Sequence, residues 1–174
     1  TELPSVEVVN LGGGLGVPER PNATPLDLDV LDKRLRDFKT QHAYDLWMEP
    51  GRFLVAQAGV LLAPVTQTKS KGPVHYVGLG TGMNSLIRPA LYGSYHEIAN
   101  LSRLDEAPAV TADVVGPICE TGDVLGRSRR LPDTHPGDVL VIGTAGAYGA
   151  SMSNHYNLRP PAGERILSAQ TVRG

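Results

Sequence analysis

A strand-like run, SVEVVNL (residues 5–11), breaks straight into a glycine cluster, GGGLG, holding Gly12, Gly13, Gly14 and Gly16. A buried strand ending in such a loop, followed by an amphipathic helix and a second strand, is the signature of an α/β unit with a parallel sheet. The next residues supply both parts. Leu28, Leu31, Leu35 and Phe38 recur at helical spacing among Asp29, Lys33, Arg34 and Asp37. Thr24 is expected to cap this helix, with Pro25 at its first position and Asp27 in its first turn. YDLWMEPG (44–51) then reads as the second strand.

Beyond about residue 55 the pattern changes. FLVAQAGVLLAPVTQTKS (53–70) has little helical periodicity, and its latter half suits a strand. VHYVGLG, AVTADVVG, GDVLVIG and ERILSAQ are further strand candidates between Gly, Pro and Asp turns, with HPGD as the turn before DVLVIG. Only NSLIRPALY (84–92) looks briefly helical. The expected architecture is therefore α/β followed by an all-β domain of barrel or sandwich type, with the boundary near residue 55.

The chain of 174 residues carries a net charge of -2, which argues against an electrostatic hold on nucleic acid or an anionic membrane. No apolar run approaches bilayer length, and the opening TELPSVEVVN is no signal peptide. The single cysteine, Cys119, excludes an internal disulfide, so a reducing, cytoplasmic compartment is the simplest expectation. The chain opens without Met just before a strand, which reads as a piece of something longer.

Several local groups carry chemistry. The glycine loop can turn successive amides toward an anion such as phosphate, or can be a plain tight turn. It matches neither a dinucleotide fingerprint, because Val17 stands where the third glycine belongs, nor a P-loop. Glu49-Pro50-Gly51-Arg52 ends the second strand, where parallel sheets place functional residues. Arg52 suits a carboxylate, although on local grounds a salt-bridged surface turn is the plainer account of this corner. Arg88 and Tyr92 stand four apart, as a helical carboxylate clamp or as packing. Cys119-Glu120 lies in VVGPICETGD, where a strand breaks into a turn. A free thiol is either a small buried apolar group or an acid–base group. Tyr148, among small residues in GTAGAYGAS, is free to meet a planar ring or to pack. His96-Glu97 begins a zinc-protease-like run that fails at Asn100, so no metal is expected. No GxSxG elbow marks a serine triad.

Taken in order, VNLGGGLG, MEPGRFLVAQAGVLL, GMNSLIRPALYGSYHEI, VVGPICETGDVLGRSRRLP, PGDVLVIGTAGAYGASMSNHYNLRP and GERIL resemble the C-terminal part of the diaminopimelate decarboxylase family, pyridoxal-phosphate enzymes of the alanine-racemase-like fold type. Among them the sequence looks most similar to the form fused to an aspartate kinase. The resemblance implies that residues 1–55 are the last strands and helix of a cofactor-binding (β/α)8 barrel and that 56–174 form the C-terminal β domain. It implies pyridoxal 5'-phosphate as cofactor and conversion of meso-2,6-diaminopimelate to L-lysine and CO2. Gly13, Gly14 and Gly16, with Glu49 and Gly51, would hold the cofactor phosphate. Arg52 would hold a substrate carboxylate, and Arg88 and Tyr92 the distal end of the substrate. Cys119 would donate the proton and Glu120 would recognise the distal amino group. Tyr148 would contact both cofactor and substrate. The family forms homodimers in which the Cys119–Glu120 pair would enter the partner's site.

Two features depart from the family pattern. Gly80-Thr81-Gly82-Met83-Asn84 replaces an Asp-Ala-Gly-Met-Asn type run. The family's cofactor-anchoring lysine lies upstream of residue 1, so the missing barrel half is an implied partner. The alternatives are an ornithine- or arginine-type decarboxylase of the same fold, and a non-catalytic structural or dimerisation fragment.

Overall fold

A computed structural model describes residues 5–168 of the chain. It begins with β1 (Val8–Asn10), α1 (Leu28–Gln41) and β2 (Asp45–Trp47). β1 and β2 pair in parallel, with Val9 opposite Leu46, as the strand–helix–strand order requires. Asp27, not Thr24, caps α1: its Oδ1 accepts the amides of Asp29 and Val30, both at 3.0 Å. A carboxylate directly before the first turn satisfies two orphan amides and faces the positive end of the helix, so the helix starts at Leu28. No residue of α1 is buried, and Trp47 is 62% exposed.

Gly51–Val55 then forms a short helix, α2, followed by a 3-10 turn at Ala56–Ala58. This corrects the non-helical reading of that stretch. The strand begins only at β3 (Leu61–Lys71), whose Leu61, Ala63 and Val65 alternate inward. The remaining elements are β4 (Val74–Leu79), α3 (Arg88–Tyr92), β5 (Ile98–Asn100), β6 (Val110–Val115), β7 (Val124–Leu131) and β8 (Val139–Ile142).

These strands form one six-stranded sheet in the order β5-β8-β3-β4-β6-β7. β3 is long enough to serve two neighbours. Leu61–Pro64 pairs with β8, a register shift follows between Val65 and Gln67, and the rest pairs with β4. That irregularity bends the strand and lets the sheet curl. The curl brings the terminal strands β5 and β7 into contact and nearly closes a barrel. Leu79, Leu86, Val114, Leu125, Leu131, Leu140 and Ile142 fill its interior. β5 and β7 had no counterpart among the strand candidates. Conversely, residues 164–168 of the ERILSAQ segment form no strand, and its last two residues lie outside the described ones.

Among the contacts that tie the α/β part to the sheet, two come first. The loop 143–149 lies against the 51–59 segment, where Ala145 donates to Gly59 O at 2.8 Å and Gly146 to Ala56 O at 3.0 Å. Val17, Ala56 and Ala147 form a small apolar cluster with Phe53 packed against it. The second tie is Arg20, whose guanidinium sits 4.3 Å from the Tyr95 ring centroid, with Arg129 at 3.7 Å from the same ring.

At the other end of the sheet, Asp138 accepts from Arg103 Nε (2.8 Å), Asn100 Nδ2 (3.0 Å) and the amide of His135 (3.0 Å). The Arg103 bond is the main reason its carboxyl is held at about 2, below the ordinary 3.8. A carboxyl depressed in the folded state stabilises above its unfolded value, and that contribution fades as pH falls from about 4 toward 2. Urea midpoints measured from pH 6 to 2 should show this loss. Asp138→Asn should remove the acid-dependent component and lower stability at pH 6 by about 1–2 kcal/mol.

Candidate active site

The parallel strand ends bring the glycine loop and the EPGR corner together. Glu49 N–H donates to Gly12 O at 2.8 Å, Asn10 Nδ2 donates to Glu49 Oε1 at 2.7 Å, and Asn10 Oδ1 accepts the Gly12 amide at 2.8 Å. Gly12 and Gly14 adopt φ of +69° and +85°, which side-chain-bearing residues resist. A Cβ at Gly13 would lie 2.6 Å from Glu49 O, so the loop packs directly on the corner. Among the described residues, the amides of Gly13, Gly14 and Gly16 donate to no protein group, and open space lies beside Gly14 and Gly16. Such a run of free amides in a turning backbone is a nest for an anion. The Gly51 amide does not join it, because it donates to Glu49 O at 2.9 Å.

Arg52 and Arg88, far apart in sequence, converge on one carboxylate. Glu19 Oε1 accepts Arg52 Nη1 at 2.9 Å and Arg88 Nη2 at 3.1 Å. The Arg88 side chain is only 8% exposed. Its other end is anchored by His96, with Nη1 to Nε2 at 3.2 Å, while His96 Nδ1 meets Gly143 O at 2.9 Å. A guanidinium only donates and a carbonyl only accepts, so His96 is the neutral Nδ1–H tautomer. Burial, with Arg88 beside it, holds the imidazole pKa below its ordinary value. His96 therefore serves as the anchor of Arg88. Tyr92 stands four residues further along α3. It is 65% exposed and bonds to nothing among the described residues.

Tyr148 follows Ala147 in the loop packed on α2, at a positive φ of 59°, and is about half exposed. It therefore stands close in the fold to the Arg52 segment.

Cys119 and Glu120 form a separate group. Both are exposed, and no hydrogen bond or ion pair among the described residues links them to Arg52, Arg88 or the glycine loop. Glu120 Oε2 accepts from Tyr156 Oη at 3.0 Å, and this bond is the main cause raising the phenol pKa. Tyr156 comes from the tail, which returns to the sheet through Asn84: Asn154 donates to Asn84 O at 2.9 Å, and Asn84 Nδ2 to Pro160 O at 3.1 Å.

Asp123 shapes the thiol loop. It is 3% exposed and accepts the amides of Met83 (2.6 Å) and Ile118 (2.7 Å). Any Cβ at Gly82 or Gly116 would overlap its carboxylate, so both positions must be glycine for the loops to close on it. Burial pushes its carboxyl pKa up, and the two amide bonds partly offset this. The 80–84 run that departs from the family pattern thus still supplies a backbone partner, Met83, to the thiol loop. Asp123→Ala should leave one buried and one partly buried amide unpaired and cost about 3 kcal/mol in urea unfolding, with Asp123→Asn costing less.

Glu19, His96, Asp123 and Tyr156 were not among the expected site residues. In the sequence His96 stood only in a failed zinc-protease-like run, Glu19 follows the glycine loop by three residues, and Asp123 ends VVGPICETGD. No group of three or more His, Cys, Asp or Glu among the described residues is placed to hold a metal ion. Nor is any helix among them long and apolar enough to cross a membrane.

Comparison with known proteins shows the family of the chain. Residues 26–146 match the family described as pyridoxal-dependent decarboxylase, C-terminal sheet domain. Diaminopimelate decarboxylase of Archaeoglobus fulgidus is 42% identical over 165 residues, covering 92% of this chain and 39% of the relative. The Aquifex aeolicus enzyme of that name is 40% identical over 172 residues, covering 97% and 40%. The crystal structure of diaminopimelate decarboxylase from Helicobacter pylori complexed with L-lysine superposes with a TM-score of 0.79 at 34% identity, covering 89% of this chain and 38% of that one. The chain thus spans about two fifths of the length of the relatives it matches. With its curled six-stranded sheet and matching motifs, the chain belongs to the pyridoxal-dependent decarboxylases, whose C-terminal sheet domain it carries.

Proposed function

We propose that this chain is part of a pyridoxal-phosphate enzyme that decarboxylates meso-2,6-diaminopimelate to L-lysine and CO2. The observation that carries this reading is the pair Arg52 and Arg88, gathered within reach of one carboxylate beside the glycine loop. A substrate that keeps a distal carboxylate after losing its other one needs such a grip. An ornithine- or arginine-type substrate has no use for it. The relative solved with L-lysine, a molecule that retains that carboxylate, supports the same assignment.

The free amides of Gly13, Gly14 and Gly16 fit the cofactor phosphate, with Glu49 bracing the loop and Gly51 closing the corner. The cofactor supplies an electron sink for the pair left as CO2 departs. The protein's part is binding and proton control. Arg52 and Arg88 hold the distal carboxylate, Tyr148 borders cofactor and substrate, and Tyr92, exposed beside Arg88, meets the distal end. Cys119 holds the proton delivered to the carbon that lost CO2, and Glu120 meets the distal amine.

Cys119 and Glu120 are exposed and bonded to neither arginine among the described residues, which favours a homodimer in which each subunit completes its partner's site. The exposed β1–β2–α1 layer, with Trp47 on its surface, favours docking of further barrel strands, which carry the cofactor lysine. In this reading residues 1–55 belong to the barrel and 56–174 to the sheet domain of a cytoplasmic enzyme. The full chain, loaded with cofactor, should release CO2 from meso-diaminopimelate and yield L-lysine. Equal release from L-ornithine or L-arginine would overturn the substrate, and release from none would leave a structural role.

A further inference from the structure

Glu19 stands in the substrate clamp without any role assigned by the resemblance. Its single oxygen Oε1 accepts from both Arg52 and Arg88, while Oε2 has no partner among the described residues. Neither arginine is used up by this. A guanidinium has five N–H donors. Among the described residues Arg52 gives one to Glu19, and Arg88 gives one each to Glu19 and His96. Glu19 is itself held on both sides, by buried Val17 and by Arg20 over the Tyr95 ring.

We propose that Glu19 is a positioning residue of the clamp, bridging Arg52 and Arg88 so that their remaining N–H groups grip one carboxylate. This rests on the decarboxylase reading above and deepens it. Two guanidiniums this close repel, and Arg52 sits on a flexible, partly exposed side chain that would otherwise swing away. The shared oxygen holds both and cancels one charge. With His96 neutral, Arg52, Arg88 and Glu19 sum to a single positive charge, the complement of one carboxylate. The clamp therefore selects a substrate with one retained carboxylate at that end. Arg88, gripped by His96 and Glu19 at opposite Nη atoms, is the fixed jaw, and Arg52 is the jaw that Glu19 sets.

The test uses the cofactor-loaded full chain and two probes, L-lysine, which keeps the carboxylate, and cadaverine, which lacks it. Calorimetry should show the unaltered protein preferring L-lysine. Glu19→Ala should weaken L-lysine binding about tenfold or more, as loss of one partner of a clustered charge pair does, and leave cadaverine binding the same. Glu19→Asp keeps the charge but is too short to bridge both arginines, so it should weaken L-lysine similarly. Glu19→Gln keeps an acceptor oxygen and should lose less, about threefold. The loss should appear in KM for diaminopimelate more than in kcat. Tighter L-lysine binding in the Ala and Gln variants would make Glu19 a competitor for the arginines and overturn the proposal. So would unchanged binding in the Asp variant. A protein that does not distinguish L-lysine from cadaverine before any substitution would overturn the decarboxylase reading itself.

Discussion

Cys119→Ala in the cofactor-loaded full chain is expected to lower kcat for diaminopimelate by about 10²–10⁴-fold, the range for a lost general acid. KM should change little, because Cys119 is exposed and makes no hydrogen bond or ion pair with Arg52 or Arg88 among the described residues. Cys119→Ser should recover little, since a hydroxyl is a far weaker proton donor than a thiol. Fold loss is not a confounder of the kind expected for Asp123, because Cys119 is exposed. Mixing the Cys119→Ala protein with an Arg52→Ala protein tests the shared site. If each subunit lends its thiol to its partner, mixed dimers contain one intact site and part of the activity returns. No recovery, with subunit exchange shown to occur, would place the thiol in its own chain's site. Full activity of Cys119→Ala would remove the thiol from the chemistry.

Arg88→Ala should lower kcat/KM for diaminopimelate by about 10²-fold or more, because truncating a buried, hydrogen-bonded charge leaves its partners unpaired. Those partners are Glu19 Oε1 and the acceptor nitrogen of His96. Arg88→Lys should rescue poorly, since one ammonium cannot reproduce two N–H bonds directed at opposite sides. Cofactor absorbance should persist, as no hydrogen bond among the described residues joins Arg88 to Gly13, Gly14 or Gly16. The selective readout is affinity for L-lysine against cadaverine. Equal loss of both would make Arg88 structural and end its assignment to the distal carboxylate.

The parallel pairing of β1 and β2 was legible because a strand–glycine–helix–strand order leaves few other solutions. The start of α1 was misplaced because Thr24 and Asp27 are both good caps, and only geometry chooses between them. α2 was hidden because Gly51–Val55 is too short for a period to register, and its neighbour Ala56 is packed against Val17 and Ala147. β7 was overlooked because GRSRR in its middle is charged. Its apolar residues Leu125 and Leu131 face the core while Arg127 and Arg130 face water.

The sequence by itself determined which chemical groups are present and in what order: the glycine loop before a helix, the EPGR corner after a strand, and the thiol beside a carboxylate in a turn. These follow from local conformational limits, which act between neighbours in the chain. Tertiary structure alone decided which groups meet. Arg52 and Arg88 share Glu19 because the sheet and the α/β layer dock through the 143–149 loop and the Arg20–Tyr95 contact. Tyr92, four residues from Arg88, is exposed while Arg88 is buried against His96. A buried charge must find partners wherever the fold supplies them, and no spacing rule along the chain records where that is.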